Sequence, residues 1–329
     1  MYKIIVSIIF GLLAVFILSA CQTSKDLRTN FSGNHQENNL GEIKIAQFMA
    51  PDSALLMIAQ EKGFYEEVGL KVEMIPCNVG QLCLDALTAN KVDVAVAVAL
   101  NAVTGIKQHS NLKIISNLAA KNNKIIARKD ENILISKDLE FKKIGALHAA
   151  KLDYFPRKYF KKHNVDVENV EFINLKPNEI VTALIKGDID AGYLWNPFAY
   201  DAISALGDNA ISFSDESLLQ IFTLITTKDS IDKSELKFNK LIQDLEKAAQ
   251  WFVENKEESI KIVANHIAKN PQDIKKYFSE YHIQLNIDQS LTNLMLDQYQ
   301  WVNNLEELTV QDEEKIKNII YPNFISKIE

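Results

Sequence analysis

The chain lacks the residue constellations that catalysis needs. It contains no G-x-S-x-G nucleophile turn, no H-E-x-x-H zinc helix and no phosphate-cradling G-x-x-x-x-G-K, and so offers no activated serine, metal-held water or nucleotide loop. Its histidines, at positions 35, 109, 148, 163, 266 and 282, have no spacing that gathers ligands around one ion, and no metal or cofactor is expected. Basic residues are not in excess. Lys and Arg number 36 against 43 Asp and Glu, for a net charge of −7, which argues against nucleic acid and against broad contact with anionic lipid. After the first twenty or so residues no apolar run is long enough to span a membrane. Cysteine is scarce, with three in all.

The N-terminus carries what the rest of the chain lacks. Lys3 precedes an uncharged apolar run from Ile4 to Leu18, followed by small residues, the pattern of an export signal rather than a spanning helix. Leu18-Ser19-Ala20-Cys21 resembles the lipobox of bacterial lipoproteins. The resemblance implies a signal peptide over 1–20, a lipid on the Cys21 thiol, and a mature chain held outside the cytoplasm on a bacterial membrane, facing the periplasm or the outer side. Residues 21–41 are rich in Asn, Ser, Thr, Gln and charge, with almost nothing to bury, and are expected to be a disordered tether reaching on the order of 25 Å.

From Glu42 onward the pattern is that of α/β units. Strands are expected at 42–48, 70–75, 92–100, 112–118, 142–147, 170–175 and 189–195. Helices are expected at 54–62, 82–90, 151–163 and 177–186, and a long helical tail with a one-sided apolar stripe follows. Continuous apolar strands separated by helices predict parallel sheets covered on both faces. The length suits two lobes. The first is expected from 42–122 and 222–329, the second from 123–221, with the chain crossing between them near 119–124 and 213–221. The tail is expected to serve packing alone.

Open parallel sheets bind ligands beyond the C-terminal ends of their strands, where loops feed helix N-termini. In the first lobe those loops hold Met49, Asp52 and Ser53, then Asn78, Gly80 and Gln81, then Asn101. In the second they hold His148, Lys151 and Tyr154, then Trp195 and Asn196. Asp52 either faces a ligand ammonium or caps the helix after Pro51. Lys151, at a helix start that prefers an anion, suits an anionic ligand. His148 suits ligand contact and not metal. Aromatic residues near the second-lobe loops suit a ligand with a planar or apolar part. Cys77 and Cys83 bracket the 78–81 loop, either as a disulfide or as two buried thiols.

Four segments, in order, carry a resemblance to a known family. Ala59-Gln60-Glu61-Lys62-Gly63-Phe64-Tyr65 through Gly69-Leu70-Lys71-Val72 resembles the A-x-E-K-G-F-F-K-x-x-G-L-x-V segment of the nitrate/taurine/sulfonate family of ABC transporter solute-binding proteins. Ala86 to Asp93 and Ala183 to Ala191 resemble its two A-L-x-x-G-x-x-D stretches, and Asp138 to Ile144 its D-L-K-G-K-K-I. Asn90 and Phe141 stand where the family usually has Gly, the second suggesting a reshaped turn. The resemblance implies a two-lobe periplasmic-binding-protein type II fold and a monomer, not an enzyme, that captures a small organic molecule. The cargo would be sulfonate- or taurine-like, or like a thiamine precursor, and would pass to permease and ATPase subunits. It also places a ligand-facing residue at Trp195. The alternatives are a sensor lipoprotein without a transporter, or an enzyme like the family's pyrimidine-precursor synthases, whose Cys-rich segment this chain lacks.

Overall fold

The computed structural model describes residues 40–147 and 153–324. The predicted leader and tether up to residue 39, together with Cys21, His148 and Lys151, lie outside the described residues. The chain begins with β1 (Gly41–Phe48), helix α1 (Ala54–Glu61), β2 (Leu70–Cys77), α2 (Gly80–Thr88), β3 (Val94–Val98), α3 (Ala99–Gly105) and β4 (Leu112–Asn122). Strand β3 ends two residues earlier than the apolar run suggests. Ala99 already has helical company, so Asn101 sits inside the first turns of α3 rather than on a loop before it.

A second set follows: β5 (Lys124–Arg128), β6 (Lys143–Ala146), α4 (Tyr154–Lys162), β7 (Glu171–Asn174), α5 (Pro177–Lys186), β8 (Ala191–Leu194), α6 (Phe198–Leu206) and β9 (Ala210–Phe213). The chain then returns through β10 (Leu219–Thr227) to α7 (Lys228–Glu254), α8 (Lys256–His266), α9 (Pro271–Phe278), a short β11 (Tyr281–Ile283), α10 (Gln289–Val302) and α11 (Val310–Ile319).

These strands make two sheets, ordered β11-β4-β10-β3-β1-β2 and β7-β6-β8-β5-β9. In the first, β1 lies parallel to β2 and β3, and β10 runs antiparallel between β3 and β4. All five residues of β3 and all four of β8 are buried, as central strands covered on both faces must be. Six consecutive residues of α1, Ala54 to Ala59, are fully buried, because α7 and α8 pack over the face that the sheet leaves open. The tail therefore packs on the first sheet. It also does more, since β11 adds an edge strand beside β4.

The chain passes from the first sheet to the second at Asn123 and returns through residues 214–218. The two passages are bonded to each other: the Asn123 N–H donates to the Leu218 carbonyl at 3.1 Å, and the Ser214 hydroxyl to the Asn123 carbonyl at 2.7 Å. Asn90 and Phe141 both adopt positive φ, 55° and 63°, so the turns keep the left-handed geometry that glycine would provide. Phe141 holds it with an exposed side chain and a strained backbone.

Candidate functional site between the lobes

The loops at the C-terminal ends of the parallel strands converge on a cavity of about 280 Å³. The first lobe lines it with Met49 and Asp52 after β1, with Asn78, Gly80 and Gln81 after β2, and with Asn101 on α3. The second lobe supplies Leu147 after β6, and Trp195 to Phe198 between β8 and α6. The Asn196–Pro197 peptide is cis.

Eight of the sequence-expected residues thus meet at one cavity: Met49, Asp52, Asn78, Gly80, Gln81, Asn101, Trp195 and Asn196. Two others are placed elsewhere. Ser53 is fully buried behind the wall, its hydroxyl 3.3 Å from the Asp52 carboxylate. Tyr154 begins α4, but the phase of that helix turns its ring onto Trp301, 5.3 Å between centroids, and its hydroxyl donates to Asp297. It belongs to a seam between α4 and α10, not to the cavity.

Local packing explains the first-lobe loop. Cys77 and Cys83 are joined in a disulfide with Cα atoms 5.7 Å apart, tying the end of β2 to the first turn of α2. A Cβ on Gly80 would stand 2.7 Å from Asn101 Oδ1 and 3.2 Å from Phe48 Cζ, so only glycine lets the helix start approach this closely. The Asn101 amide in turn donates to Gln81 Oε1 at 3.3 Å, and Gln81 donates to Asp85 at 2.8 Å.

Asp52 makes no capping hydrogen bond: neither the 3₁₀ turn it sits in nor α1 is capped by a side chain. It is nearly inaccessible yet lines the cavity. Burial pushes its carboxyl up to about 6, and the charge of Lys121 only partly opposes this.

Lys121 is not among the residues expected from the sequence, which ends this strand at 118 and crosses between the lobes near 119–124. β4 instead runs through to Asn122, with Lys121 buried and its ammonium donating to the Tyr281 hydroxyl at 2.7 Å. The same ammonium lies 4.7 Å from the Tyr281 ring centre and 5.1 Å from that of Phe222. Burial pulls it down to about 8, against the attraction of Asp52 and Glu280. Asn123 is buried too, donating to the Tyr193 hydroxyl at 2.7 Å. Gln220 and Phe222 of β10 complete the floor. The available signal was position: a lysine ending a buried strand, at the passage between two lobes, has nowhere to go but their interface.

The tail reaches the site through two adjacent residues. Tyr281 holds Lys121, and Glu280 accepts from Asn196 Nδ2 at 2.7 Å and from the Tyr200 hydroxyl at 2.6 Å while pairing with Lys124 at 2.7 Å. Burial alone would raise the Glu280 carboxyl, but the bonds from Lys124 and Tyr200 outweigh it and hold it below the ordinary value. The expectation that the tail serves packing alone is corrected here.

Comparison with known proteins gives a consistent result. A family model described as NMT1/THI5 like matches residues 50–259. A Bacillus subtilis (strain 168) protein named as an aliphatic sulfonates-binding protein is 25% identical over 284 residues, covering 81% of this chain and 82% of that protein. Among solved structures, the periplasmic aliphatic sulphonate binding protein SsuA from Escherichia coli superposes with a TM-score of 0.70 at 14% identity, covering 83% of this chain and 96% of that one. The alkanesulfonate-binding protein SsuA from Xanthomonas axonopodis pv. citri gives 0.68 at 14% identity, covering 85% and 98%. The fold is that of the periplasmic binding proteins.

Proposed function

The chain belongs to the NMT1/THI5-like family, and from that premise we propose that it is an extracytoplasmic solute-binding protein of an ABC importer. It captures a small organic molecule between its lobes and delivers it to the permease. The observation that carries this reading is the cavity itself. It lies beyond the strand ends of both sheets, it is walled largely by apolar and aromatic side chains, and it holds a few buried polar groups, the composition of a small-molecule site. The relatives named for sulfonate binding support the class of cargo, with a thiamine-precursor-like molecule as the other candidate.

Binding rather than catalysis is the proposed activity, carried out by a monomer. Eight lining residues, Met49, Asp52, Asn78, Gly80, Gln81, Asn101, Trp195 and Asn196, are proposed as ligand contacts. The lipobox-like Leu18-Ser19-Ala20-Cys21 supports a lipid anchor on Cys21, which keeps the domain within reach of membrane-embedded partners.

Two measurements test the proposal. Titration calorimetry of the full chain against a panel of small sulfonates, amines and heterocycles should find one-to-one binding, accompanied by compaction in small-angle scattering. Absence of any binding across the panel would refute it. Cys21→Ser should leave an unprocessed precursor that fails to partition into detergent, and a lipid-labelled, processed variant would remove the anchor from the reading.

A further inference from the structure

The cavity contains both signs of charge and satisfies neither fully. Asp52 and Lys121 are the only charged side chains among the described lining residues. They interact through space, with no hydrogen bond between them. Asp52 is 3% exposed and has the Ser53 hydroxyl, at 3.3 Å, as its side-chain partner. An ionised carboxylate has acceptor sites for about four hydrogens, of which the Ser53 hydroxyl and Asp52's own backbone N–H fill two. Lys121, 4% exposed, gives one of its three hydrogens to Tyr281, and the rest stay available.

The backbone adds to the positive side. α2 begins at Gly80 and α6 at Phe198, both lining residues. The first N–H groups of a helix have no partner within it and carry its partial positive charge. Val79, which precedes α2, offers no side-chain cap. An anionic group near Lys121 and the start of α2 therefore meets donors on two sides. No such group can also satisfy Asp52, which repels it.

Resting on the solute-binding reading above, we propose that the cargo is a small zwitterion. Its cationic nitrogen meets Asp52, its anionic group meets Lys121 and the start of α2, and its body lies against Trp195 and Phe222. A plain alkanesulfonate leaves the buried carboxylate with the Ser53 hydroxyl as its side-chain donor, and a plain amine leaves the ammonium with the Tyr281 hydroxyl as its acceptor. Either omission costs the binding that the missing charge-assisted hydrogen bonds would supply. The burial that moves both groups toward their neutral forms is relieved only by a ligand carrying both charges.

The test uses the full chain at pH 7 and two matched trios of probes. One is aliphatic: 2-aminoethanesulfonate, ethanesulfonate and ethylammonium. The other is aromatic: 4-(aminomethyl)benzenesulfonate, toluene-4-sulfonate and benzylammonium. In at least one trio the zwitterion should bind about tenfold or more tighter than either single-charge analogue. Asp52→Asn should erase the advantage contributed by the amine and spare that of the sulfonate, while Lys121→Met does the reverse.

The melting temperature of the empty protein supplies a second readout. Asp52→Asn removes a poorly solvated charge, so it should hold or raise the apo melting temperature, whereas a carboxylate kept for structure would lower it. The inference is overturned if the sulfonate-only probes bind as well as the zwitterions in both trios, or if Asp52→Asn leaves the amine preference intact. Either result leaves the solute-binding reading standing. Failure of these probes and of every other organic solute defeats that reading itself.

Discussion

In the first lobe β2, β1 and β3 run parallel beside an antiparallel β10, and in the second β7, β6 and β8 run parallel beside an antiparallel β5. Each lobe receives its antiparallel strand from the passage that enters from the other. The same aspartate device recurs. Asp93 accepts the Lys44 N–H at 2.8 Å where β1 runs beside β3, and Asp190 accepts the Lys143 N–H at 2.7 Å where β6 runs beside β8. The two walls of the cavity nonetheless differ. The first lobe brings Asp52, Lys121, Gln81 and Asn101, whereas the second brings Leu147, Trp195, Pro197 and Phe198, with Asn196 as its polar contribution. Common wiring fixes where a site forms, at strand ends facing each other. Which molecule it takes depends on a few side chains, and these are concentrated on one side.

The comparison assigns selection to the first lobe and coverage to the second, and the largest expected effect tests the second. Trp195 packs edge-on to Phe198 and beside Tyr193, with centroids 6.3 Å away in each case, and part of its ring stays open to the cavity. Trp195→Ala should weaken binding about 30-fold, on the order of 2 kcal/mol, by a similar factor for zwitterion and single-charge probes alike. Calorimetry of the variant beside its unliganded melting temperature checks this. Unchanged affinity with a large fall in apo melting temperature would make Trp195 a core residue.

A smaller effect is expected from pH, and it isolates the first lobe. The empty native protein holds a proton on Asp52 up to about pH 6, against 3.8 for the ordinary side chain, so this group's contribution to stability falls as pH rises through that window. Lys121 releases its proton near 8 rather than 10.5, so its contribution recovers as pH rises through that second window. Both penalties coincide between about 6 and 8. Ser53 and Lys121 face Asp52, while Asp52, Glu280, Lys124 and Tyr281 surround Lys121. Zwitterion binding should therefore be tightest between these values and fall about tenfold per unit outside them. Titrations at pH 5, 7 and 9 check it, and Asp52→Asn should flatten the acid limb alone.

These assignments were unevenly visible in the sequence. Strand–loop–helix units are written in apolar periodicity, and the rule that ligands gather at strand ends then points to Met49, Asp52, Asn78, Gly80, Gln81, Asn101, Trp195 and Asn196 as neighbours. Lys121, Gln220 and Phe222 were hidden because they lie on strands, not loops. What brings them beneath the loops is the sheet order β4-β10-β3, a long-range pairing that no local window contains. Tyr154 was misplaced for a different reason. Its nearness to a loop is readable, but the rotation of α4 about its axis, which sends the ring to Trp301, depends on where α10 packs. The edge strand β11, three residues long, gives too short an alternation to stand out between helices, and Glu280 and Tyr281 were lost with it.

The smallest effect concerns the seam, where the lobes touch without lining the cavity. Tyr154 and Lys158 of α4 both donate to Asp297 of α10, and Lys158 lies 3.1 Å from the Tyr154 hydroxyl. The Lys158 and Asp297 side chains are 34% and 48% exposed, so the ion pair is screened by water and worth under about 1 kcal/mol. None of these residues lines the cavity, so the pair can act on binding only through the balance between open and closed lobes. When a ligand binds one conformation, its apparent affinity scales with the fraction of protein already in that conformation. Asp297→Asn should therefore weaken every ligand by one common factor, about threefold, and leave the ratio between zwitterion and single-charge probes untouched. Added salt should reproduce part of that loss in the unmodified protein. Asp52→Asn changes the ratio, whereas Asp297→Asn changes the scale. If the seam variant alters selectivity between probes, the lobe contact reaches into the site, and the division between a selecting lobe and a covering lobe fails.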